Sequence, residues 1–150
     1  MRGALSAVAA VLLAVLCCDP GCGRALADVR IEASPGGHVL PFLGFFAALR
    51  RSGQRVIIDG PCLSACTLVL STIPKSRICV TPRAVLGFHA AKVTDQYGAE
   101  YPAEARTVTR AVAATYPAPV RAWIRRHGGL TDRPLFLYGR TLAAMYPRCR

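Results

Sequence analysis

A short run of β-branched residues between two glycines constrains the fold of this chain more than any other feature. The run extends from Arg55 to Asp59, with Gly53 before it and Gly60 after it. Apolar runs of this length are typical of strands that are buried on both faces of a parallel sheet. Because parallel strands need a crossover connection, the sequence predicts an α/β fold in which helices follow strands.

The segments on either side of this run fit that architecture. Apolar residues recur at helical spacing over residues 39–49, Pro41 is compatible only with the first turn of this helix, and Gly53 provides a C-terminal cap. A second helix is predicted from near Ser64 to the residue before Pro74. The other predictions are strands at 29–31, 77–81, 85–89 and 135–137, a polar surface loop at 92–102, and helices at 103–115, 120–127 and 140–146. This order predicts a βαβαββ core followed by C-terminal helices.

The N-terminal segment, residues 1–27, is predicted to be a signal peptide. Arg2 gives a positive start, and the apolar run over residues 4–16 is shorter than the roughly 18 residues of a membrane span. Ala25 and Ala27 are small residues of the kind that signal peptidase accepts. We therefore expect cleavage, one domain over residues 28–150, a periplasmic or secreted location, and membrane contact only through the signal peptide. An uncleaved anchor is the alternative.

Four cysteines follow the predicted cleavage site, and they are expected to form disulfides. Cys62, Cys66, Cys79 and Cys149 allow two bridges in three possible pairings, among which the sequence does not choose. A metal site is not expected. Three residues separate Cys62 from Cys66, where zinc sites typically have two, and no histidine at ligand spacing accompanies them.

The formal net charge of +11 raises the question of an anionic partner. However, the arginines are spread along the chain, with no dense run and no nucleic-acid-binding motif. A specific nucleic-acid partner is therefore not expected.

Ser64 and His89 carry the most informative chemistry. Ser64 is predicted at the first turn of a helix after a buried strand, where free backbone N–H groups, including that of Ala65, stabilise negative charge. His89 ends a predicted strand, and a neutral imidazole there can accept the serine proton. Taken alone, Ser64 is explained as a helix N-cap and His89 as a buried structural residue. Taken together, they favour a serine hydrolase.

The turn Ser34-Pro35-Gly36-Gly37 adds a third element. Glycines let the backbone approach a substrate closely, so an amide of this pair would complete an oxyanion hole opposite Ala65. Gly36 and His38 are expected to line the substrate-binding site. This chemistry requires no metal and no organic cofactor.

Several segments, in this order along residues 29–90, together resemble the proteolytic subunit of Clp protease and the wider crotonase-like superfamily. They are Ser34–Gly37, Gly60–Cys66, Lys75–Pro82 and Gly87–Ala91. The segments around the serine and the histidine further resemble a group of small exported bacterial proteins of that superfamily whose biochemical role is not established.

The resemblance implies a crotonase-like core and attack by a serine on a peptide or acyl bond. It implies that Ser64 is the nucleophile, that His89 is the general base, and that the amides of Gly37 and Ala65 form the oxyanion hole. In Clp-type enzymes an aspartate ahead of a short Phe-Leu strand orients the histidine, and the nearest carboxylate here is Asp132. The repeats that normally precede the Ser-Pro-Gly-Gly turn are missing. This predicts either a core truncated at its N-terminus, its sheet edge covered by a partner subunit in a homo-oligomer, or a misplaced start codon.

A second class of function is open at this point: a non-catalytic periplasmic binding or assembly module whose arginines address an anionic partner. The lack of an aligned acid favours the module, and the presence of both Ser64 and His89 favours the exported hydrolase. We expect the hydrolase, and its functional assignment depends on the site because a fold alone does not define a function.

Overall fold

Two three-stranded sheets and five α-helices make up residues 27–150, the part of the chain that the computed structural model describes. Residues 1–26 of the predicted signal peptide lie outside the described part of the chain. None of the described helices is long and apolar enough to cross a bilayer. In chain order the elements are β1 (Val29–Ile31), α1 (Val39–Ser52), β2 (Val56–Ile58), β3 (Pro61–Leu63), α2 (Val69–Thr72), β4 (Ile78–Val80), β5 (Val85–Phe88), α3 (Pro102–Thr115), α4 (Ala118–Arg126), β6 (Leu135–Tyr138) and α5 (Gly139–Met145).

The first sheet is parallel and has the strand order β1-β2-β4. Its central strand is the β-branched run of the sequence, and Val56 and Ile58 are fully buried there. The predicted helix between β1 and β2 is confirmed as α1, with Pro41 in its first turn and Gly53 as its C-terminal cap. α1 packs against residues 64–68 and α2, and its apolar stripe, which includes Phe46 and Leu49, is buried in the core.

The second sheet was not predicted. The sequence predicts one βαβαββ core, whereas the structure divides the strands into two sheets, the second with the order β3-β5-β6. β3 pairs parallel with β5, and β5 pairs antiparallel with β6. The chain passes from one sheet to the other at Gly60, where a Cβ atom would lie 1.8 Å from the carbonyl oxygen of Glu32. The chain segments at Glu32 and Gly60 therefore approach each other closely only because residue 60 has no side chain.

The predicted second helix is present, but its first half is a 3-10 helix, and the predicted loop contains local structure. Residues 64–68 form a 3-10 helix, and only the four residues of α2 are α-helical. Within the predicted polar loop over residues 92–102, an isolated antiparallel bridge joins Thr94 to Glu100. The carboxylate of Asp95 accepts hydrogen bonds from the amides of Tyr97 and Ala99 and closes the turn.

All four cysteines after residue 27 are paired, as predicted, and the structure supplies the pairing. Cys62 is bonded to Cys66, four residues away, and Cys79 to Cys149, 70 residues away. The second bond ties β4 to the end of the chain. Two disulfides in one domain are typical of proteins that mature in an oxidising compartment.

The two disulfides are expected to differ in their effect on global stability, because the entropy that a bond removes from the unfolded chain grows with the loop it closes. We expect Cys79→Ala/Cys149→Ala to lower the free energy of unfolding by about 4 kcal/mol and Cys62→Ala/Cys66→Ala by about 2 kcal/mol. Urea denaturation of both double variants and the wild type measures the difference. Equal losses, or the reverse order, would contradict this expectation.

Asp59 is the buried charged residue of the described chain, with 5% of its side chain exposed. Arg30 from β1 donates a hydrogen bond to its carboxylate at 2.6 Å, and the Thr81 hydroxyl donates another at 2.6 Å. Arg83 binds both carboxylate oxygens through its Nε and Nη2 atoms. The hydrogen bonds from Arg83, Thr81 and Arg30 hold the pKa of Asp59 well below its ordinary value. Asp59 therefore joins β1, the junction between the sheets and the β4–β5 turn.

This carboxylate should make stability depend on pH in the acid range. The pKa of Asp59 is lower in the folded protein than the value of about 3.9 in an unfolded chain, so the unfolded state binds more protons as the pH falls. The stabilisation is complete above about pH 4 and is lost as the pH falls towards the folded-state pKa. We expect Asp59→Asn to be less stable than the wild type at pH 6 and the gap to narrow at pH 3 in urea denaturation. Parallel stability curves for the two proteins would refute this.

Candidate functional site

Ser64 and His89 leave the second sheet at the same edge. β3 and β5 are parallel neighbours, and their register places Leu63 opposite Gly87. Ser64 directly follows β3, and His89 directly follows β5. Both residues line one small pocket of about 40 Å³, together with Ala65. The structure thus brings together two residues that are remote in sequence, because two paired strands end side by side.

The backbone at Ser64 has an unusual conformation. Its φ of 53° makes it the one non-glycine residue of the described chain with a positive φ. Such a conformation is uncommon for residues with a side chain, and it persists only where the surroundings impose it. Strained turns of this kind are concentrated at functional sites.

The Ser34–Gly37 turn is held against Ser64 by the backbone of β3. The amide of Ser34 donates to the carbonyl of Pro61 at 2.7 Å, and the amide of Leu63 donates to the carbonyl of Ser34 at 2.9 Å. These bonds extend the second sheet by one residue. As a result, a Cβ atom on Gly36 would lie 2.6 Å from the Cβ atom of Ser64, so only glycine fits at position 36.

Both predicted oxyanion donors are next to this contact. Ala65 is the second residue of the 3-10 helix that starts at Ser64, and the first N–H groups of a helical segment have no acceptor within it. Gly37 follows Gly36, whose own amide lies 3.4 Å from the Ser34 hydroxyl. The oxyanion role of Gly37 and Ala65 stays a prediction.

His89 has a backbone partner where Clp-type enzymes have an acid. Its Nδ1 atom lies 2.6 Å from the carbonyl oxygen of Ala90. A carbonyl oxygen only accepts hydrogen bonds, so in the neutral ring this contact favours the proton on Nδ1 and the lone pair on Nε2. The segment is fixed in turn because the amide of Ala90 donates to the carbonyl of Thr131 at 2.8 Å and the amide of Ala91 to the Thr109 hydroxyl at 2.9 Å.

Four predicted site residues do not line this pocket: Gly36, Gly37, His38 and Asp132. Asp132 is exposed and lines a neighbouring groove, and within residues 27–150 neither a hydrogen bond nor an ion pair joins it to His89. His38 is exposed at the N-terminus of α1 and does not line the pocket. The Ala90 carbonyl contacts Nδ1, the ring nitrogen that an orienting acid would bind. The catalytic role of Asp132 stays a prediction.

Thr67 and Tyr116 support the Ser64 turn, and sequence reasoning missed both. Thr67 is fully buried, and its hydroxyl donates to the carbonyl of Ser64 at 2.6 Å. Because that bond uses the only proton of the Thr67 hydroxyl, the hydroxyl of Tyr116, 2.6 Å away, donates to Thr67. Burial raises the pKa of Tyr116 to about 12, which keeps this hydroxyl protonated. The Tyr116 ring also packs edge-on against Phe88, the neighbour of His89, at 5.2 Å.

A larger groove of about 640 Å³ adjoins the pocket. The groove and the pocket share four lining residues, which are Ala90, Ala91, Thr109 and Leu130. The structured loop over residues 92–102 forms one wall, beside the site. The charged residues of the groove are Lys92, Glu100, Arg106, Arg110 and Asp132. Lys92 pairs with Glu100 at 3.6 Å, which leaves two arginines and one aspartate to set the charge of the groove.

No protein-family model matches this chain, and no curated protein is significantly similar to it. The resemblance to Clp protease therefore stays a prediction from short segments. Within the described residues, no cluster of three or more histidine, cysteine or carboxylate side chains has the geometry of a metal site.

The hydrogen-bond chain from Tyr116 through Thr67 to Ser64 should contribute measurably to stability. Tyr116→Phe removes one donor and is expected to lower the free energy of unfolding by about 1 kcal/mol. Thr67→Val leaves both the Ser64 carbonyl and the Tyr116 hydroxyl without a partner, which is expected to cost about 2–3 kcal/mol. Urea denaturation gives both values.

The control is Ser71→Ala, which removes an exposed hydroxyl contact to Thr115 at 2.9 Å. Surface changes of this kind are expected to stay within about 0.5 kcal/mol. If Thr67→Val lowered the free energy of unfolding as little as Ser71→Ala does, the hydrogen bonds from Tyr116 through Thr67 would not be what stabilises the Ser64 turn.

Proposed function

We propose that this protein is an exported serine hydrolase that cleaves a peptide or acyl bond. The observation that carries the proposal is the joint position of Ser64 and His89 in one pocket, with the serine in a positive-φ turn at the end of β3. A serine hydroxyl needs a base and an oxyanion site to act as a nucleophile. The pocket offers a residue type for each role.

In the proposed mechanism, Nε2 of His89 accepts the Ser64 proton while the serine oxygen attacks the substrate carbonyl. The amides of Gly37 and Ala65 stabilise the oxyanion that forms. The imidazolium then gives its proton to the leaving group, and a water molecule, activated by the same ring, hydrolyses the acyl-serine. The described residues show no hydrogen bond between the Ser64 hydroxyl and the His89 ring, and in unliganded enzymes this hydrogen bond is often long.

We propose that the Ala90 carbonyl orients the histidine. A carbonyl fixes the tautomer of the ring, as an aspartate does, but it carries no full negative charge to stabilise the imidazolium. In trypsin, replacing the triad aspartate by a neutral group that enforces the wrong tautomer lowers kcat by about 10⁴. In this proposal His89 has the tautomer that the mechanism requires and only the charge is missing. We therefore expect slow turnover together with a serine that reacts readily with strong electrophiles.

The dimensions of the site favour a substrate that extends beyond the reacting group. The pocket at Ser64 encloses about 40 Å³, which is room for a carbonyl group and little more. The adjoining groove of about 640 Å³ lies within the range of about 300–1,000 Å³ that is typical of ligand sites. In this proposal the scissile carbonyl enters the pocket and the rest of a peptide or acyl substrate lies in the groove.

The proposal includes export. The two disulfides need an oxidising compartment, and the predicted signal peptide would deliver the chain to the periplasm or outside the cell. A homo-oligomer that covers the sheet edge belongs to the same proposal. No metal or organic cofactor takes part in this mechanism.

Labelling with a fluorophosphonate probe tests the proposal directly. The mature wild-type protein should form a covalent adduct with one probe at Ser64, and Ser64→Ala should form none. His89→Gln removes the base and is expected to slow labelling by about 10²–10⁴-fold. The rate of probe incorporation and the mass of the labelled peptide give the readout, with circular dichroism as the check that each variant is folded.

Asp132→Asn separates the two ways of orienting His89. If the Ala90 carbonyl orients the ring, this variant labels at the wild-type rate. A rate as low as that of His89→Gln would instead assign the orienting role to Asp132, and our proposal for Ala90 would be wrong.

A binding or assembly module is the second candidate. It is favoured by the missing hydrogen bond between Ser64 and His89 and by Arg106 and Arg110, for which the described residues include no ion-pair partner. These arginines would face an anionic partner in the groove. A folded wild-type protein with both disulfides intact that labels no better than Ser64→Ala would favour this candidate over the hydrolase.

A further inference from the structure

One disulfide spans the serine. Cys62 lies two residues before Ser64, Cys66 lies two residues after it, and the bond between them closes a ring of backbone centred on the serine. Cys62 belongs to β3 and Cys66 to the 3-10 helix, and the two are 0% and 1% exposed. The bond thus fixes the end of the strand relative to the start of the helical turn.

The backbone inside this ring has an uncommon conformation at Ser64. A φ of 53° at Ser64 is disfavoured for a residue with a side chain. Without the bond, residues 62–66 can relax towards ordinary strand or helix dihedrals. Such a relaxation moves the Ser64 hydroxyl and the Ala65 amide together, because both are attached to the backbone of residues 64 and 65.

The other disulfide has no such relation to the site. Cys79 lies in β4 of the first sheet and Cys149 near the end of the chain. Neither cysteine, nor a residue next to it, lines the pocket at Ser64, whereas Ser64, Ala65 and Thr67 all do. The chain therefore carries two disulfides of different kinds, one of which closes a long loop while the other surrounds the reactive turn.

We propose that Cys62 and Cys66 are positioning residues for Ser64, so that the serine becomes reactive only when these two cysteines are oxidised. This inference rests on the proposed function. Bond formation removes two protons and two electrons from the thiols, and a disulfide-bearing oxidant accepts them through thiol–disulfide exchange and is itself reduced to two thiols. In a reducing cytosol the two thiols remain free and the turn relaxes. The hydrolase is therefore silent until it is exported.

Two double variants test this, because each retains one disulfide. Cys79→Ala/Cys149→Ala keeps only the bond around Ser64, and Cys62→Ala/Cys66→Ala keeps only the other. Fluorophosphonate labelling is measured with and without dithiothreitol, with a thiol titration to confirm reduction and circular dichroism to confirm folding. In the first variant we expect reduction to slow labelling by about 10²-fold, the effect of misplacing a reacting atom by about 1 Å, and reoxidation to restore it. In the second variant labelling is slow under both conditions.

The outcomes separate this inference from the proposed function. If oxidised wild-type protein does not label at all, the hydrolase proposal is wrong. If the wild type labels and Cys62→Ala/Cys66→Ala labels equally fast, the hydrolase stands and the positioning role is wrong. A folded first variant whose labelling rate is the same before and after reduction would also overturn the positioning role.

Hydrogen exchange gives a readout that does not depend on activity. In Cys79→Ala/Cys149→Ala, where the bond around Ser64 is the remaining disulfide of the described residues, reduction should accelerate amide exchange over residues 63–67 while β2 stays protected, because only the turn relaxes. Unchanged protection over residues 63–67 after complete reduction would contradict the inference.

Discussion

The site depends on the parallel pairing of β3 with β5, since Ser64 and His89 meet only where these two strands end together. The pairing covers three residues of each strand, with Leu63 opposite Gly87. So short a ladder contributes few hydrogen bonds, and burial stabilises it instead: Cys62 and Leu86, which lie opposite each other, are both fully buried. The same pairing lets the chain leave the first sheet after β2, which is why the fold has two small sheets.

The turn at Ser64 is restrained from several sides, and the magnitudes explain why. A positive φ at a residue with a side chain costs about 1–3 kcal/mol, whereas one neutral hydrogen bond contributes about 1 kcal/mol. No single contact therefore suffices. The Thr67 hydroxyl holds the Ser64 carbonyl, Gly36 packs against its side chain, and the Cys62–Cys66 bond closes the backbone around it. The conformation is stable because all of these restraints act on the turn around Ser64.

Site residues can be predicted from the sequence where their residue type and their position at a strand end both indicate a role. Residues whose role depends on contacts between distant parts of the chain cannot be predicted in this way. Ser64 and His89 could be identified because each follows an apolar run. β3 could not, since three residues that begin with a proline show no periodicity. The bond between Thr67 and Tyr116 joins residues 49 apart in sequence, and Tyr116 precedes a proline, so its position is typical of a linker. The Ala90 carbonyl could not be predicted either, because every residue carries a carbonyl.

Because the partner of His89 is neutral, the proposed chemistry depends more strongly on the groups around the serine. A carbonyl orients the ring but leaves the imidazolium without a counter-charge, so more of the transition-state stabilisation must come from the amides near Ser64. Amides act well only when they are fixed before the charge forms, since reorganising them during the reaction costs energy. The restraints of the site are of the kind that the proposed chemistry requires: the disulfide, the buried hydroxyl of Thr67 and the close contact of Gly36 all act on the Ser64 turn.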